Sequence, residues 1–233
     1  MTRTFAQFVD CVVHWECHLD EGQAGPVGIY SDTPGDAGGP TRWGVTLATY
    51  AAWCRRNGMP APSAADVQAM SFDIAAQIYH DDFYVGPALD RLPAGSLLAL
   101  EVFDIAVGSG PGEAIWLLQD VLQQQGYPVA VDGVISTDRS RPSQTADAAA
   151  RAWTERGGAF VAALIDRRRA YYREIVAADP AQAIFAAGWD WRATRLLAEA
   201  QATGPGGVPI AATPAPAPDP SDALNDDPAL TGA

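Results

Sequence analysis

The sequence predicts an all-α protein with irregular polar loops, on three observations. Apolar residues recur three and four positions apart, the spacing of one helix face, as in Phe5, Phe8, Val9, Val12 and Val13. Serine or threonine stands just ahead of several such runs, where its hydroxyl can cap free backbone amides: Thr46, Ser63 and Ser71. Glycine and proline close the runs, at Gly58 and Pro60, at Gly126, and between Gly108 and Gly112.

The first helix should run from Thr4 to Trp15 or Glu16. A glycine-dense loop follows from Cys17 to Trp43, and structureless loops of that length are usually functional or disordered. Thr46 caps a helix with Leu47, Tyr50, Ala51 and Cys54 inward; Ser63 and Asp66 form a capping-box variant; Ser71 opens a helix with Ile74, Ile78 and Tyr79 inward. Pro87 to Pro93 is a loop. Leu97 to Val107 is apolar nearly all round and should be the central buried helix. Its Glu101 and Asp104 must then reach a polar cleft, a hydrogen-bond donor or a solvent strip, because an unpartnered buried carboxylate is costly.

Pro111 is placed to open the next helix, which carries Ile115, Leu118, Val121 and Leu122. Tyr127 to Ser136 is extended or turn-like around Asp132-Gly133. Helices over Ser143 to Glu155 and Ala159 to Ala177 follow, and Arg167, Arg168 and Arg169 read as a solvated face of the second. The run Phe185 to Arg192 leads into a last helix ending near Ala202, with Trp189 and Trp191 read as packing residues. From Thr203 the composition shifts to Pro, Ala, Gly and Asp, which cannot bury enough apolar surface to offset ordering entropy, so a flexible tail is expected.

At 233 residues, with 48% hydrophobic content and seven Trp, the chain can build one large domain or two small ones. A net charge of −13 and a pI near 4.4 leave no electrostatic footprint for nucleic acid or an anionic membrane face. No stretch approaches the ~18 apolar residues that span a bilayer, so no membrane insertion is expected. The amino terminus lacks the long apolar core of a signal peptide, so synthesis in the cytoplasm and another route outward are expected. Three cysteines are too few and too odd in number for a disulfide framework; Cys11 falls beside the core stripe, and a Cys17 to Cys54 bridge is conceivable but has no support in the sequence. His14 and His18 lie four apart with only Asp20 or Glu21 to complete a metal set, so neither metal nor cofactor is expected.

Glu16 continues the apolar stripe of the first helix and precedes the polar loop Asp32-Thr-Pro-Gly-Asp-Ala-Gly-Gly-Pro-Thr41. A carboxyl on the core side of a helix loses solvation, which favours its protonated form and suits a general acid. The plain structural reading is a helix-end cap or a pair with Arg42.

The order of features resembles the glycoside hydrolase 108 family of phage and prophage lysozymes. It rests on a helix ending in Glu16, the segment Tyr30 to Thr46 with Gly38-Gly39-Pro-Thr41 and Gly44-Val-Thr46, then Ile78-Tyr79, Leu92-Pro93, Phe103-Asp104 and Leu118-Gln119. Leu118-Gln119 through Asp132-Gly133 to Gly188-Trp189 and Arg192 looks like the predicted peptidoglycan-binding segment that accompanies that catalytic region. The resemblance implies a lysozyme-like helical region over residues 1–112, a peptidoglycan-binding-like region over 113–202 and a tail over 203–233. Two departures stand out. The family's Glu-Gly-Gly-Tyr reads Glu16-Cys17-His18-Leu19 here, and extra residues precede Tyr30, which makes Glu21 a rival to Glu16. Glu16 keeps the family's distance from the helix start, whereas Glu21 lies beyond the stripe.

The implied reaction is cleavage of the β-1,4 bond between N-acetylmuramic acid and N-acetylglucosamine, which needs a proton donor and a second group against an oxocarbenium-like centre. Glu16 is the expected donor and Asp36 the second group, with Asp32 as fallback and an Asx-turn as Asp36's structural alternative. Thr41 and Thr46 are positioning hydroxyls, and Gly38, Gly39 and Gly44 allow close backbone approach. Tyr30, Trp43 and Tyr79 are candidates to stack on sugar rings, or to fill the core. The implied partners are peptidoglycan glycan strands and, through the tail, phage or virion proteins. The implied setting is a holin-released endolysin or a particle-borne enzyme acting in the periplasm or cell wall. A peptidoglycan-binding or assembly protein without catalysis is the alternative from another class.

Overall fold

The computed structural model describes residues 2–17, 19, 27–32 and 39–210. His18, Asp20, Glu21, Asp36, Gly38 and the chain beyond Ile210 lie outside the described residues. Among the described residues ten α-helices carry the fold: α1 Phe5–Glu16, α2 Leu47–Arg56, α3 Ala64–Ala69, α4 Phe72–Tyr79, α5 Leu97–Ser109, α6 Pro111–Gln124, α7 Gln144–Arg156, α8 Gly158–Ala178, α9 Ala186–Ala193 and α10 Leu197–Gln201. Thr4, Thr46, Ser63, Ser71, Ser96 and Ser143 cap helices through their hydroxyls, which fixes the starts the sequence indicates.

Helix α5 is the axis of the molecule. Every residue from Leu97 to Ala106 is buried, and α1, α6 and α8 pack around it. One hydrophobic core runs from Phe8 and Val12 on α1 through Phe103 on α5 to Leu118 on α6 and Leu164 on α8, so the packing is continuous across residue 112. An aromatic group ties α1 to this axis: Phe5 lies edge-on to Phe103 at 5.3 Å, and Tyr84 packs against both at 4.8 and 6.0 Å. Arg3 closes the chain's beginning onto α10 by a two-pronged pair with Glu199, at 2.9 and 2.7 Å.

Several expectations need correction. The glycine loop ends in a small hairpin, β1 Thr41–Arg42 against β2 Val45–Thr46, with Thr41 opposite Thr46. Its two central residues, Trp43 and Gly44, have φ of 55° and 73°, the left-handed pair that a two-residue hairpin turn requires. Helix α4 runs on as a π-helix over His80–Val85, and a 3₁₀ turn at Leu89–Arg91 stands where a loop was expected. Phe185 to Arg192 is itself largely helical, as a 3₁₀ turn over Pro180–Phe185 followed by α9. Arg168 is completely buried and Arg167 nearly so, because carboxylates of α5 and α6 receive them. Residues 203–210 form a packed turn: Gly158 donates to the Thr203 carbonyl at 2.9 Å, and Gly207 lies against the Trp153 ring. No disulfide joins the cysteines; Cys11 and Cys54 are buried.

Candidate active site

Glu16 ends α1 at the edge of a cleft of about 620 Å³. The near wall is Trp15 and Glu16 with the end of α5, Val107 to Ser109; the far wall is α8, the 3₁₀ turn and α9, including Tyr171, Phe185, Trp189 and Arg192. The Glu16 side chain is 41% exposed, and its Oε1 accepts a hydrogen bond from Nη1 of Arg192, not from Arg42. Arg42 instead donates to the carbonyls of Gly28 and Gln68.

Behind Arg192 stands a buried polar network. Its Nε donates to Oδ1 of Asp104 at 2.9 Å, and Nη2 lies 2.8 Å from the same oxygen without a second aligned hydrogen bond. The other Asp104 oxygen accepts from Nη1 of Arg168 at 2.6 Å; that nitrogen also reaches Glu101 at 3.2 Å, and Arg168 Nε donates to the Tyr172 hydroxyl at 2.9 Å. The chain of contacts is thus Glu16, Arg192, Asp104, Arg168, Glu101. Both α5 carboxylates therefore meet arginines rather than solvent.

Burial works against every charge in this network, and the arginines decide which survive. Burial pushes the Asp104 carboxyl up, but Arg192 and Arg168 outweigh it and hold Asp104 below its ordinary value. Glu101 has one arginine and a like-charged neighbour, so burial dominates and its carboxyl is pushed up to about 7. Burial first, then the Glu16 carboxylate, push the Tyr79 hydroxyl well above the ordinary tyrosine range. Tyr79 is therefore close enough to Glu16 to feel its charge.

The other sequence-derived candidates sit around the hairpin. Tyr79 is buried and donates to the Trp43 carbonyl at 3.0 Å. The Trp43 ring packs over Gly28 and edge-on to Phe72, with its Nε1 bound to the Met70 carbonyl at 3.1 Å. Thr41 Oγ1 donates to the Gly39 carbonyl at 2.9 Å, and Thr46 caps α2. The Tyr30 hydroxyl donates to Asp32 at 3.2 Å. None of these five lines the cleft beside Glu16 among the described residues. Sequence reasoning missed Arg192 and the aromatic far wall, whose only signal was the run Phe185 to Arg192. No group of three metal-binding side chains occurs among the described residues.

A helical scaffold holding a carboxylate at the rim of an aromatic cleft is the equipment of a glycoside hydrolase. Residues 20–110 match the model of the Glycosyl hydrolase 108 family, and residues 113–194 match the Predicted Peptidoglycan domain. Among solved structures it is similar to Brucella abortus SagA, with 29% identity and a TM-score of 0.57 over 85% of this chain and 96% of that one. A comparison with curated proteins finds no match. The protein is a peptidoglycan-degrading glycosidase that acts in the cell wall or periplasm. No helix among the described residues is long and apolar enough to cross a membrane.

Proposed function

We propose that the protein is a muramidase that hydrolyses the β-1,4 bond between N-acetylmuramic acid and N-acetylglucosamine, with Glu16 as the proton donor. The observation that carries this reading is the position of the Glu16 carboxyl, at the end of a buried helix and on the rim of a cleft of about 620 Å³. In this reaction Glu16 protonates the bridging oxygen as its bond to the anomeric carbon breaks. Water supplies the hydroxyl that replaces it, and its remaining proton restores the acid. Asp36 is proposed as the second group, to steady the cation, attack it or activate that water, with Asp32 as its fallback. Thr41 and Thr46 are proposed to position the substrate near the hairpin, together with Tyr30, Trp43 and Tyr79. The division at residue 112 and the phage or prophage setting are supported by the resemblance of sequence, and a tether beyond residue 210 by the composition of the tail.

The competitor for the acid is Glu21, because the family match begins at residue 20 and so includes Glu21 and not Glu16. Zymography on purified peptidoglycan with Glu16→Gln, Glu21→Gln and Asp36→Asn tests the assignment. Clearing lost with Glu16→Gln and Asp36→Asn but kept with Glu21→Gln is expected. Loss confined to Glu21→Gln transfers the role, and products without new N-acetylmuramic acid reducing ends overturn the muramidase reading.

A further inference from the structure

The far wall of the cleft carries a feature that the network behind Glu16 does not use. Ile184 and Phe185 are 80% and 50% exposed and stand side by side on the rim. Single apolar residues on a surface need no explanation, but adjacent ones at the mouth of a concave site mark a binding surface. They are held firmly. Asp179 caps their 3₁₀ turn, accepting from the Ala181 amide and the Gln182 side chain, both at 3.1 Å. Phe185 stacks on Trp189 at 5.8 Å and 29°, and Trp189 stacks on Tyr172 at 5.1 Å and 28°. The Tyr172 hydroxyl is in turn bound by Arg168. A row of three near-parallel rings therefore runs from solvent to the buried network, and rings fixed in this way lose little freedom on binding.

We infer that Ile184, Phe185 and Trp189 hold the glycan strand, taking the apolar C–H faces of its sugar rings and leading it across the cleft to Glu16. The identity of the ligand rests on the muramidase reading. This adds sugar-holding groups on the far wall to those proposed at the hairpin. The same region has a second hollow, of about 460 Å³, lined by Gln119, Asp132, Val134 and Thr145. There the Gln119 amide is committed internally: it donates to Asp132, Val134 and Thr145 at 2.9 to 3.0 Å and accepts from the Asp132 and Gly133 amides. Its polar groups hold the Asp132-Gly133 turn and leave little for a sugar.

The test is co-sedimentation with purified peptidoglycan sacculi, in a Glu16→Gln background that prevents digestion. Ile184→Ser with Phe185→Ala is expected to weaken binding about tenfold, the equivalent of ~1.4 kcal/mol. Melting temperature should fall only slightly, because Ile184 is mostly exposed and Phe185 gives up one half-exposed ring contact, with Trp189. Val134→Asp, in the other hollow, should leave binding unchanged. Unchanged binding by the double variant overturns the inference, as does a loss seen only with Val134→Asp. In the otherwise unaltered chain, the double variant should raise KM on solubilised glycan strands more than it lowers kcat; the reverse overturns it. Persistent clearing by Glu16→Gln would sink the assignment of the acid, and the binding comparison would then be made in the Glu21→Gln chain.

Discussion

Arg192, on α9, donates to Glu16 at the end of α1 while its other nitrogens face Asp104 on α5. The two ends of this contact are unequal. Glu16 is 41% exposed on its side chain and Asp104 is 1% exposed, so solvent can replace Arg192 for the first and not for the second. Removing Glu16 as a charge should therefore cost below about 1 kcal/mol of stability, as for exposed pairs. Removing Arg192 leaves a buried carboxylate short of a partner, at about 3–5 kcal/mol. Urea unfolding should show Glu16→Gln near the parent midpoint and Arg192→Met far below it. Lytic activity should fall for both, by about a hundredfold or more for Glu16→Gln. Equal midpoints for the two variants would contradict the network as described.

Glu101 makes stability depend on pH in a defined direction. Its carboxyl is pushed up to about 7 from an ordinary 4.5, so the folded chain binds a proton that the unfolded chain has already released between those values. Stability contributed by that proton is complete below about 4.5, declines as pH rises, and is lost above about 7. The facing charges are Arg168 and Asp104, with Arg192 one step further. Glu101→Gln keeps the shape and removes the titration, so its stability should be flatter than the parent's across this window. A parent slope in urea midpoint that survives the substitution would assign the effect to another group.

The helices were legible because caps and periodicity act locally: Thr46, Ser63 and Ser71 announce α2, α3 and α4 without tertiary help. The central helix was legible from its lack of a polar face, and so was the need of Glu101 and Asp104 for donors. Their partners were not. Arg168 lies 64 residues from Asp104, and Arg192 lies 176 from Glu16. Nothing in an arginine's immediate sequence says whether a distant carboxylate will receive it, and three consecutive arginines look like a solvated face. The hairpin was hidden for a different reason. Hairpin turns are read from Asn-Gly or Asp-Gly, and here Trp43 occupies the first left-handed position. Its unfavourable backbone is held by the Met70 carbonyl on its ring nitrogen and by the Tyr79 hydroxyl on its own carbonyl.

That arrangement makes Gly44 sensitive. Its φ is 73°, and a methyl group there would stand 2.4 Å from the Tyr79 hydroxyl. Gly44→Ala must either displace Tyr79 and break its bond to Trp43 or distort the turn. The expected loss is about 2–3 kcal/mol, from left-handed strain plus one unsatisfied buried group. Gly39→Ala serves as the comparison, since a methyl group there meets nothing within 4 Å among the described residues, although its φ is also positive at 60°. Thermal denaturation should place Gly44→Ala well below Gly39→Ala; similar melting points would mean that Tyr79 does not fix the hairpin.

Charge sets the last expectation. With a net charge of −13 the chain approaches an anionic wall against the field, so steering cannot supply its affinity. Contact must come from short-range groups, above all the apolar rim of the cleft. Screening then removes a repulsion and weakens no dominant attraction, since the Debye length falls from about 10 Å at 0.1 M salt to about 3 Å at 1 M. Sacculus binding by the Glu16→Gln chain should hold steady or strengthen modestly across that range. A steep loss of binding with salt would show that local cations, such as the exposed Arg173 near the far wall, carry the contact instead.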